Sequence, residues 1–433
     1  MAVKYRAPRG TRDILPEEVG LWRHLEETAR AVFARAGYGE TRTPIFEDTE
    51  LFVRSTGEDT DIVEKEMYTL ERADGTSITL RPEGTPSIAR AYVEHDLAKQ
   101  APFRKFFYVG PMFRYERPQA GRSRQFHQAG VEAFGSDNPL LDVETIDLAA
   151  QFFDAIALAG YEIRINSIGC SGCRSDFRQL LRSRLESRRG QLCENCQRRF
   201  ERNVFRILDC KEEACRAIIM TLPLVAEHLC PACAEHWHQV QAGLKALGRP
   251  YVHDPHLVRG LDYYTRTVYE FIHGGLGARN AVCGGGRYDN LIGELGGSPV
   301  GGIGFAVGFE PTIAALAGEA REQATKAGSP GGLDAYVVRA SDGAGLAALQ
   351  LAQELRRARF SCDLDFEGRS LKAQMRSANR TKARFALILG EDEVAGNSVT
   401  VREMASASQE SVPRAGLIEW LRARSPARPG SPG

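Results

Sequence analysis

Apolar residues follow two different spacings along the first third of the chain. Between residues 16 and 36 they recur three and four positions apart, and Gly37 follows, so this segment is predicted to be one amphipathic helix. Runs at 77–83, 106–110 and 128–134 are short and bounded by turn-forming residues, which predicts strands. The apolar positions of the helix are Val19, Leu21, Trp22, Leu25, Ala29, Val32 and Phe33.

Further elements extend this pattern. A short strand is predicted at 41–46, where Pro44 restricts it to a sheet edge or an interface. A helix is predicted at 139–159, and strands return at 261–272. Because helices are inserted between strands that lie far apart in sequence, we expect an antiparallel sheet in an α+β domain.

The chain changes character after residue 318. Residues 318–332 are rich in glycine and polar side chains, which predicts a linker. Beyond it, strand and helix patterns alternate, which predicts a small α/β domain with a mostly parallel sheet. The predicted division is a first domain in two parts (1–166 and 251–325), an insertion (167–250), a linker (326–332), a second domain (333–424) and a disordered tail (425–433).

Composition and charge narrow the class of protein. A chain of 433 residues exceeds one ordinary core, and 43% hydrophobic with 26% charged residues is typical of a folded protein. The N-terminus has no apolar core, and no run approaches the roughly 18 apolar residues of a membrane helix, so we expect neither a signal peptide nor a membrane partner. The expected compartment is the cytoplasm. The net charge of zero neither indicates nor excludes a nucleic-acid partner.

Eight of the ten cysteines fall between residues 170 and 233. In a cytoplasmic protein such clustering favours metal binding over disulfides. Three of the four pairs have the Cys-x-x-Cys spacing of structural zinc sites, and eight thiolates could hold two tetrahedral Zn²⁺ ions. One ion or two, buried free thiols and labile disulfides all stay open at this point. The candidate ligands are Cys170, Cys173, Cys193, Cys196, Cys210, Cys215, Cys230 and Cys233.

Several predicted strands carry two charged or amide side chains on one face. Since alternate residues of a strand share a face, the pairs are Arg81 with Glu83, Arg114 with Glu116, and Gln128 with Glu132. Buried charges are costly unless they are paired or bound to a ligand. For one pair a solvated outer face is the simpler explanation, but the three together predict a polar ligand on the sheet.

Four segments show a specific resemblance. Residues Tyr108–Gln128 resemble motif 2 of class II aminoacyl-tRNA synthetases, in its histidine-specific form. Residues 257–271 and 284–289 resemble the two histidine signatures of the histidyl-tRNA synthetase family, and 80–85 matches its amino-acid loop. The similarity runs from about residue 5 to 420. It implies an α+β class II catalytic domain with an antiparallel sheet, a helical Cys-rich insertion and a C-terminal α/β anticodon-binding domain.

The resemblance also implies roles for individual residues. Arg114 and Arg259 would grip the ATP α-phosphate as the catalytic pair, Glu116 would face the adenine, and Phe126 would stack on it. For Phe126 alone, core packing is the alternative. The histidine α-amino group would meet Glu83 and Thr85. Its imidazole would lie among Gln128, Glu132, Tyr263, Tyr264 and Tyr288, although one of the two adjacent tyrosines could serve mainly sheet packing.

The implied reaction activates L-histidine with ATP, in the presence of Mg²⁺, to histidyl-adenylate. The histidyl group then passes to tRNA(His), with release of AMP and pyrophosphate. The motif 2 loop residues Gln119, Arg122 and Arg124 would meet the tRNA acceptor end. In the anticodon domain, Lys372, Arg376 and Arg380 are spaced four apart as one basic helix stripe. The family resemblance also implies a homodimer, with the first helix and the Pro44 strand at its interface.

One position departs from the family pattern. Residues 300–313 resemble motif 3, but Pro311 stands where the family has an arginine that helps to hold ATP. Proline suits the first turn of a helix, so we expect the fold to survive while ATP binding weakens or another arginine compensates. Two alternative functions are a regulatory paralogue that binds histidine without aminoacylation and an RNA-binding module that senses uncharged tRNA. His127 has no nucleophile motif beside it, which argues against a hydrolase.

Overall fold

The structure is a computed structural model that describes residues 5–58, 60–116, 123–277, 280–329 and 331–424. Its contacts divide the chain into two compact units, with the boundary between Ser329 and Pro330. Within the described ranges, the first unit contains eleven strands and twelve α-helices. The strands are β1 (Gly39–Glu40), β2 (Phe46–Asp48), β3 (Tyr68–Glu71), β4 (Ser77–Leu80), β5 (Arg104–Phe113), β6 (Gln125–Phe134), β7 (Tyr161–Ser167), β8 (Val252–His253), β9 (Thr265–His273), β10 (Ala281–Arg287) and β11 (Gly302–Gly308). The helices are α1 (Pro16–Arg35), α2 (Thr49–Thr56), α3 (Thr85–Glu94), α4 (Leu97–Gln100), α5 (Pro139–Ala155), α6 (Ser171–Leu185), α7 (Glu194–Arg202), α8 (Glu213–Ile219), α9 (Pro231–Ala246), α10 (Leu291–Glu294), α11 (Phe309–Ala315) and α12 (Gly318–Gly328).

A large sheet forms the centre of the first unit, in the order β1-β5-β6-β11-β10-β9-β7-β8. All pairings from β5 to β7 are antiparallel, as predicted, and only the outer strands β1 and β8 pair in parallel within the described residues. A separate small sheet has the order β2-β4-β3. Because neighbouring strands of this sheet come from distant segments of the chain, polar residues far apart in sequence can lie on one of its faces.

The predicted first helix is confirmed as α1, and its apolar stripe explains its position. Leu21, Leu25, Ala29 and Phe33 are buried against the sheet, and the Phe33 ring lies 5.6–5.9 Å from those of Phe107 and Phe305. Each buried large apolar side chain stabilises such packing by about 1.5–3 kcal/mol. This helix therefore packs against the sheet that carries the polar cluster described below and stabilises it.

The prediction of a linker at 318–332 is wrong over most of its length. Residues 318–328 form α12, which packs along α1. The two helices approach so closely that a Cβ at Gly328 would lie 1.8 Å from the Gly20 carbonyl oxygen. Glycine and alanine therefore serve a helix–helix contact here, although the same composition is typical of flexible segments.

Three predicted strand limits also need correction. Residues 41–45 are not in a strand, and β2 begins only at Phe46. Strand β4 ends at Leu80 and β5 at Phe113, so the predicted pairs at 81/83 and 114/116 lie in loops just beyond their strands. Pro82 has no N–H to donate to a ladder, which explains why β4 stops there. The 128/132 pair does lie within β6.

The second unit is a five-stranded sheet flanked by helices. Its strands are β12 (Ala335–Arg339), β13 (Cys362–Leu364), β14 (Phe385–Leu389), β15 (Ser398–Glu403) and β16 (Gln409–Pro413) in the order β13-β12-β14-β15-β16, and its helices are α13 (Gly345–Arg357), α14 (Leu371–Arg380), α15 (Glu391–Ala395) and α16 (Leu417–Arg424). Strands β13, β12 and β14 pair in parallel as predicted, but β15 and β16 are antiparallel, so the sheet is mixed. The links before β15 and β16 are too short for the crossover that parallel pairing needs. The tail at 425–433 lies outside the described residues.

Candidate active site

Glu132, on β6, is the most deeply buried carboxylate of a polar cluster on the large sheet. It accepts a 2.6 Å hydrogen bond from the Thr85 hydroxyl and a short one from the Tyr288 hydroxyl. Its cross-strand neighbour is Gly304, where a Cβ would lie 2.2 Å from the Glu132 Oε2 atom. Burial raises the pKa of Glu132 to about 8, and the nearby Glu83 adds to the rise. This carboxyl is therefore poised near neutrality to meet a basic group.

Glu83 provides a second buried carboxylate beside the first. It lies in the loop between β4 and α3, and it accepts hydrogen bonds from the Thr56 hydroxyl at 2.9 Å and the Tyr263 hydroxyl at 2.7 Å. Burial raises the pKa of Glu83, while the positive charge of Arg114 opposes that rise. A carboxylate held by two hydroxyl donors still has acceptor capacity for an ammonium group.

Aromatic side chains surround the two carboxylates. The rings of Tyr263 and Tyr264 lie 4.7 Å apart, and Tyr288 packs edge-on to Tyr263 at 5.6 Å. The Tyr108 ring lies over Gly130, where a Cβ would come within 2.4 Å of it. Close by in sequence, the Gln128 Oε1 atom is buried with no hydrogen-bond partner among the described residues. An orphaned acceptor of this kind indicates a donor supplied by a ligand.

Arg114 lies near Glu83, close enough for its positive charge to lower the pKa of that carboxyl, which burial raises. Its Nε donates to the Pro82 carbonyl oxygen at 2.9 Å, and its guanidinium lies 5.3 Å from the centre of the Phe126 ring. The Glu116 carboxylate is 4.0 Å from the Arg114 Nη1 atom. The predicted ATP residues of motif 2 thus occur together, with half-buried side chains. Gln119 and Arg122 lie outside the described residues, and Arg124 stacks on Tyr115 at 3.9 Å.

Arg259 approaches the same cluster from the loop before β9. It pairs with Glu270 and lies over Gly284, the residue that faces Glu270 across the β9–β10 ladder. A Cβ at Gly284 would lie 2.3 Å from the Arg259 Nη2 atom. Burial lowers the pKa of Arg259, but Glu270 together with the neighbouring Tyr263 and Tyr264 raises it by more, so the guanidinium stays charged. Its Nε atom is buried with no partner in the described part of the chain.

Pro311 occupies the first turn of α11, as the sequence predicted. The Glu310 carboxylate beside it accepts a 2.9 Å hydrogen bond from the His127 backbone N–H, and the His127 Nδ1 atom lies 3.2 Å from it. Proline costs no hydrogen bond at this position, because the first N–H groups of a helix have no partner within the helix. His127 is thus held by Glu310 and packs 4.8 Å from the Trp22 ring.

One predicted ligand pair separates in the structure. Arg81 points away from Glu83 and donates to the backbone carbonyls of Thr43, Pro44 and Pro111 at 3.0–3.3 Å. It is a buried structural arginine that holds the segment between α1 and β2. The prediction that Arg81 faces a ligand is wrong, because its strand ends one residue earlier and the alternation does not continue.

Three site residues had no place in the sequence prediction. Thr56 donates to Glu83, Tyr108 lies near both carboxylates, and Glu270 pairs with Arg259. Only Glu270 carried a signal, since an acidic residue between Tyr269 and Phe271 in the strand Thr265–His273 needs a partner. Thr56 and Tyr108 are ordinary in sequence, and only the fold shows their positions.

The eight clustered cysteines form two groups in the insertion. The first cluster is Cys170, Cys173, Cys230 and Cys233, the second is Cys193, Cys196, Cys210 and Cys215, and within each the four sulfur atoms lie within 4.8 Å of one another. Both groups could hold a metal ion. In the second unit, Lys372, Arg376 and Arg380 all lie on the exposed face of α14, so the predicted basic stripe forms a continuous surface.

Comparison with known proteins identifies the family. The family model described as "Histidyl-tRNA synthetase" matches residues 10–311, and the one described as "Anticodon binding domain" matches 334–424. The chain belongs to the histidyl-tRNA synthetase family. The histidine–tRNA ligase of Moorella thermoacetica is 52% identical over 96% of this chain and 97% of that protein. The one from Halothermothrix orenii is 48% identical over 96% of this chain and 98% of its own length.

Structural similarity agrees with this assignment. The apo histidyl-tRNA synthetase of S. aureus matches 96% of this chain and all of that chain, with a TM-score of 0.78 and 34% identity. The predicted histidyl-tRNA synthetase fold, a class II catalytic domain with a helical Cys-rich insertion and a C-terminal anticodon-binding domain, is confirmed. None of the helices in the described part of the chain is long and apolar enough to span a bilayer.

Proposed function

We propose that the chain activates L-histidine with ATP to form histidyl-adenylate and then transfers the histidyl group to tRNA(His), releasing pyrophosphate and AMP. One observation carries the proposal: two buried carboxylates and three tyrosines meet directly beside two arginines that belong to different loops. In such a site the carboxylates can bind a cationic ligand, and the arginines can bind a phosphate group beside it. Histidine together with ATP has these properties.

Histidine recognition follows from the two carboxylates. In the proposal, Glu83 and Thr85 receive the α-ammonium group, because Glu83 retains free acceptor capacity. Glu132, Tyr263, Tyr264, Tyr288 and Gln128 line the imidazole, whose two nitrogens need one donor and one acceptor or two acceptors. An amino acid that lacks both nitrogens would leave these buried groups unpaired, and a site of this type discriminates by about 10⁴–10⁵.

The two arginines then perform the electrostatic part of activation. The histidine carboxylate displaces pyrophosphate in line from the α-phosphorus, and charge develops on the α-phosphate oxygens. Arg114 and Arg259 approach from opposite loops and would stabilise that charge, while Phe126 and Glu116 bind the adenine. The substrate is ATP as its Mg²⁺ complex. No side-chain nucleophile is required, so positioning and fixed charge provide most of the rate enhancement.

The proposal extends to the partners of the reaction. The exposed stripe on α14 and Arg124, with Gln119 and Arg122, would contact the tRNA. A homodimer is proposed because Ile45, Phe46 and Leu70 are exposed on the small sheet and its preceding loop, where the family interface is expected. We place the enzyme in the cytoplasm, and the cysteines of its insertion would bind structural Zn²⁺.

The test is histidine-dependent exchange of pyrophosphate into ATP by the purified full chain, with the other amino acids as controls. We expect exchange with histidine only. Glu83→Gln should raise the KM for histidine by about 10–100-fold, since a hydrogen bond to a charged group is lost. Glu50→Gln, at an exposed ion pair, should not. Histidine binding without any exchange would contradict the proposal and favour a regulatory paralogue, a function with which Pro311 is consistent.

A further inference from the structure

In each cysteine cluster, one sulfur–sulfur separation matches the edge of a tetrahedral zinc site. Four thiolates at about 2.3 Å from a zinc ion define a tetrahedron whose edges measure about 3.8 Å. The Cys170 and Cys173 sulfur atoms are 3.7 Å apart, and those of Cys193 and Cys210 are 3.9 Å apart. A disulfide would require about 2.05 Å. The separations therefore match two ligands of one metal ion.

Helix ends prepare these sulfur atoms to carry negative charge. Cys170, Cys193 and Cys230 are the N-cap residues of α6, α7 and α9, and the second cysteine of each pair follows three positions later. The positive end of each helix dipole thus faces the thiolates. Backbone N–H groups also donate to sulfur, from Cys230 to Cys173 at 3.1 Å and from Cys193 to Cys215 at 3.2 Å. Hydrogen bonds of this kind orient metal ligands.

The first cluster joins the two ends of the insertion. Cys170 and Cys173 follow β7, where the chain leaves the large sheet, whereas Cys230 and Cys233 begin α9, which leads back to it. Gly169 precedes the cluster with φ +70°, and a Cβ there would lie 2.4 Å from the Cys173 Cβ atom. Glycine at this position therefore permits the close approach of the backbone before α6 to Cys173.

Arg174 connects the first cluster to the histidine site. It is adjacent to Cys173, and its Nη1 atom donates to the carbonyl oxygens of Asp262 at 3.0 Å and Tyr264 at 2.8 Å. Those two residues flank Tyr263, the tyrosine that donates to Glu83. The second cluster contributes to the same support, because Asn203, just after α7, donates to the Asp262 carboxylate at 2.8 Å.

We infer that the chain binds two zinc ions, one in each cluster, and that the ion in the first cluster positions the histidine-binding loop 259–264 through Arg174. On binding, each thiol loses its proton to solvent and its sulfur forms a bond to zinc in place of a water ligand of the hydrated ion, with no change of oxidation state. The metal part of this inference is independent of the proposed catalytic activity. The positioning role of Arg174 rests on the proposed function, because it assumes that the ligand of the site is histidine.

The first experiment measures metal content in the full chain, purified under reducing conditions without chelator. Elemental analysis should find about two zinc ions per chain. Cys170→Ser with Cys173→Ser should leave about one, and so should Cys193→Ser with Cys196→Ser. Cys362→Ser, at a buried thiol of the second unit, should leave two. A parent chain without zinc overturns the inference, and a parent with one ion overturns the two-site assignment.

A second measurement uses only the parent chain, so its result does not depend on whether the cysteine variants fold. The parent grown with Co²⁺ in place of Zn²⁺ should show the visible absorption of tetrahedral thiolate coordination, at about two ions per chain. Cobalt that binds without that absorption would overturn the tetrahedral assignment, because ligand number and geometry are what the cluster distances predict.

The positioning role is tested by the affinity for histidine, measured by calorimetry without ATP. Arg174→Ala should keep two zinc ions while the Kd for histidine rises about 10-fold, because two charge-assisted hydrogen bonds to the loop are lost. Arg178→Ala, at an exposed arginine one turn further along α6, should change neither quantity. An unchanged Kd in Arg174→Ala overturns the positioning role. If the parent itself does not bind histidine, the proposed function fails, and the zinc count still stands or falls separately.

Discussion

Replacing Gly284 with alanine tests whether the position of the Arg259 guanidinium controls activation. The new methyl group would lie 2.3 Å from the Arg259 Nη2 atom and 2.7 Å from its Cζ atom. Ordinary contacts between such atoms are about 3.5 Å, so the guanidinium must move by about 1 Å. The partner Glu270 on the neighbouring strand restricts that movement.

The expected cost is much larger for catalysis than for stability. A displacement of about 1 Å at a group that stabilises the transition state lowers the rate by about 100-fold. The side-chain end of an arginine can shift without moving the backbone, so the free energy of unfolding should fall by only about 1 kcal/mol. We therefore expect kcat/KM for histidine-dependent pyrophosphate exchange to fall by about 100-fold, with the melting temperature lowered by a few degrees at most.

Two controls make this prediction specific. Gly274→Ala adds a methyl group with no atom within 4 Å and should leave exchange unchanged. Arg259→Ala should lower exchange at least as strongly, and adding Gly284→Ala to it should have no further effect, because the two changes act through one side chain. Exchange within about threefold of the parent in Gly284→Ala, or additive losses in the double variant, would refute the role assigned to Arg259.

Three further predictions concern other parts of the molecule. Burial raises the pKa of Glu132 from 4.5 to about 8, so the folded chain keeps a proton that the unfolded chain releases, and this group lowers stability progressively as pH rises between those values. Glu132→Gln removes this pH dependence. The melting temperature of the variant minus that of the parent should therefore increase from about pH 5 to 8, and a difference that stays constant would contradict the burial argument. Pro311→Arg should lower the KM for ATP about 10-fold by supplying a charged donor in the first turn of α11, and an unchanged KM would show that another arginine compensates. In the third prediction, the residues Lys372, Arg376 and Arg380 are replaced together with alanine. The slope of log Kd for tRNA against log salt concentration should then decrease by about 2–3, and an unchanged slope would exclude this stripe from the interface.

Much of the fold could be predicted because its signals are local. The spacing of Leu21, Leu25 and Phe33 predicted α1 almost to its limits, since neighbouring turns of a helix determine which side chains share a face. The linker prediction at 318–332 failed for the opposite reason. Small residues permit both flexibility and close helix packing, and only the presence of α1 beside them favours the helix.

The candidate site shows the same division. Motif resemblance indicated Glu83, Glu132 and Tyr288 as site residues, but no local feature showed that Glu132 would lie between Thr85 and Tyr288. These partners are separated by 47 and 156 residues in sequence. Their meeting depends on the register of β6 with β11 and on Gly304, which leaves room for the carboxylate.

By itself the sequence determined the family, the order of the domains, the Cys-x-x-Cys spacings and the basic spacing on α14. Each of these depends on residues close together along the chain or on a short motif. The tertiary structure alone decided that Cys170 and Cys173 meet Cys230 and Cys233, that Arg81 is structural, and that Arg259 is held by Glu270. Packing and strand register determine which residues meet across a sheet or between helices. Both depend on residues far apart in sequence, so no short segment predicts them.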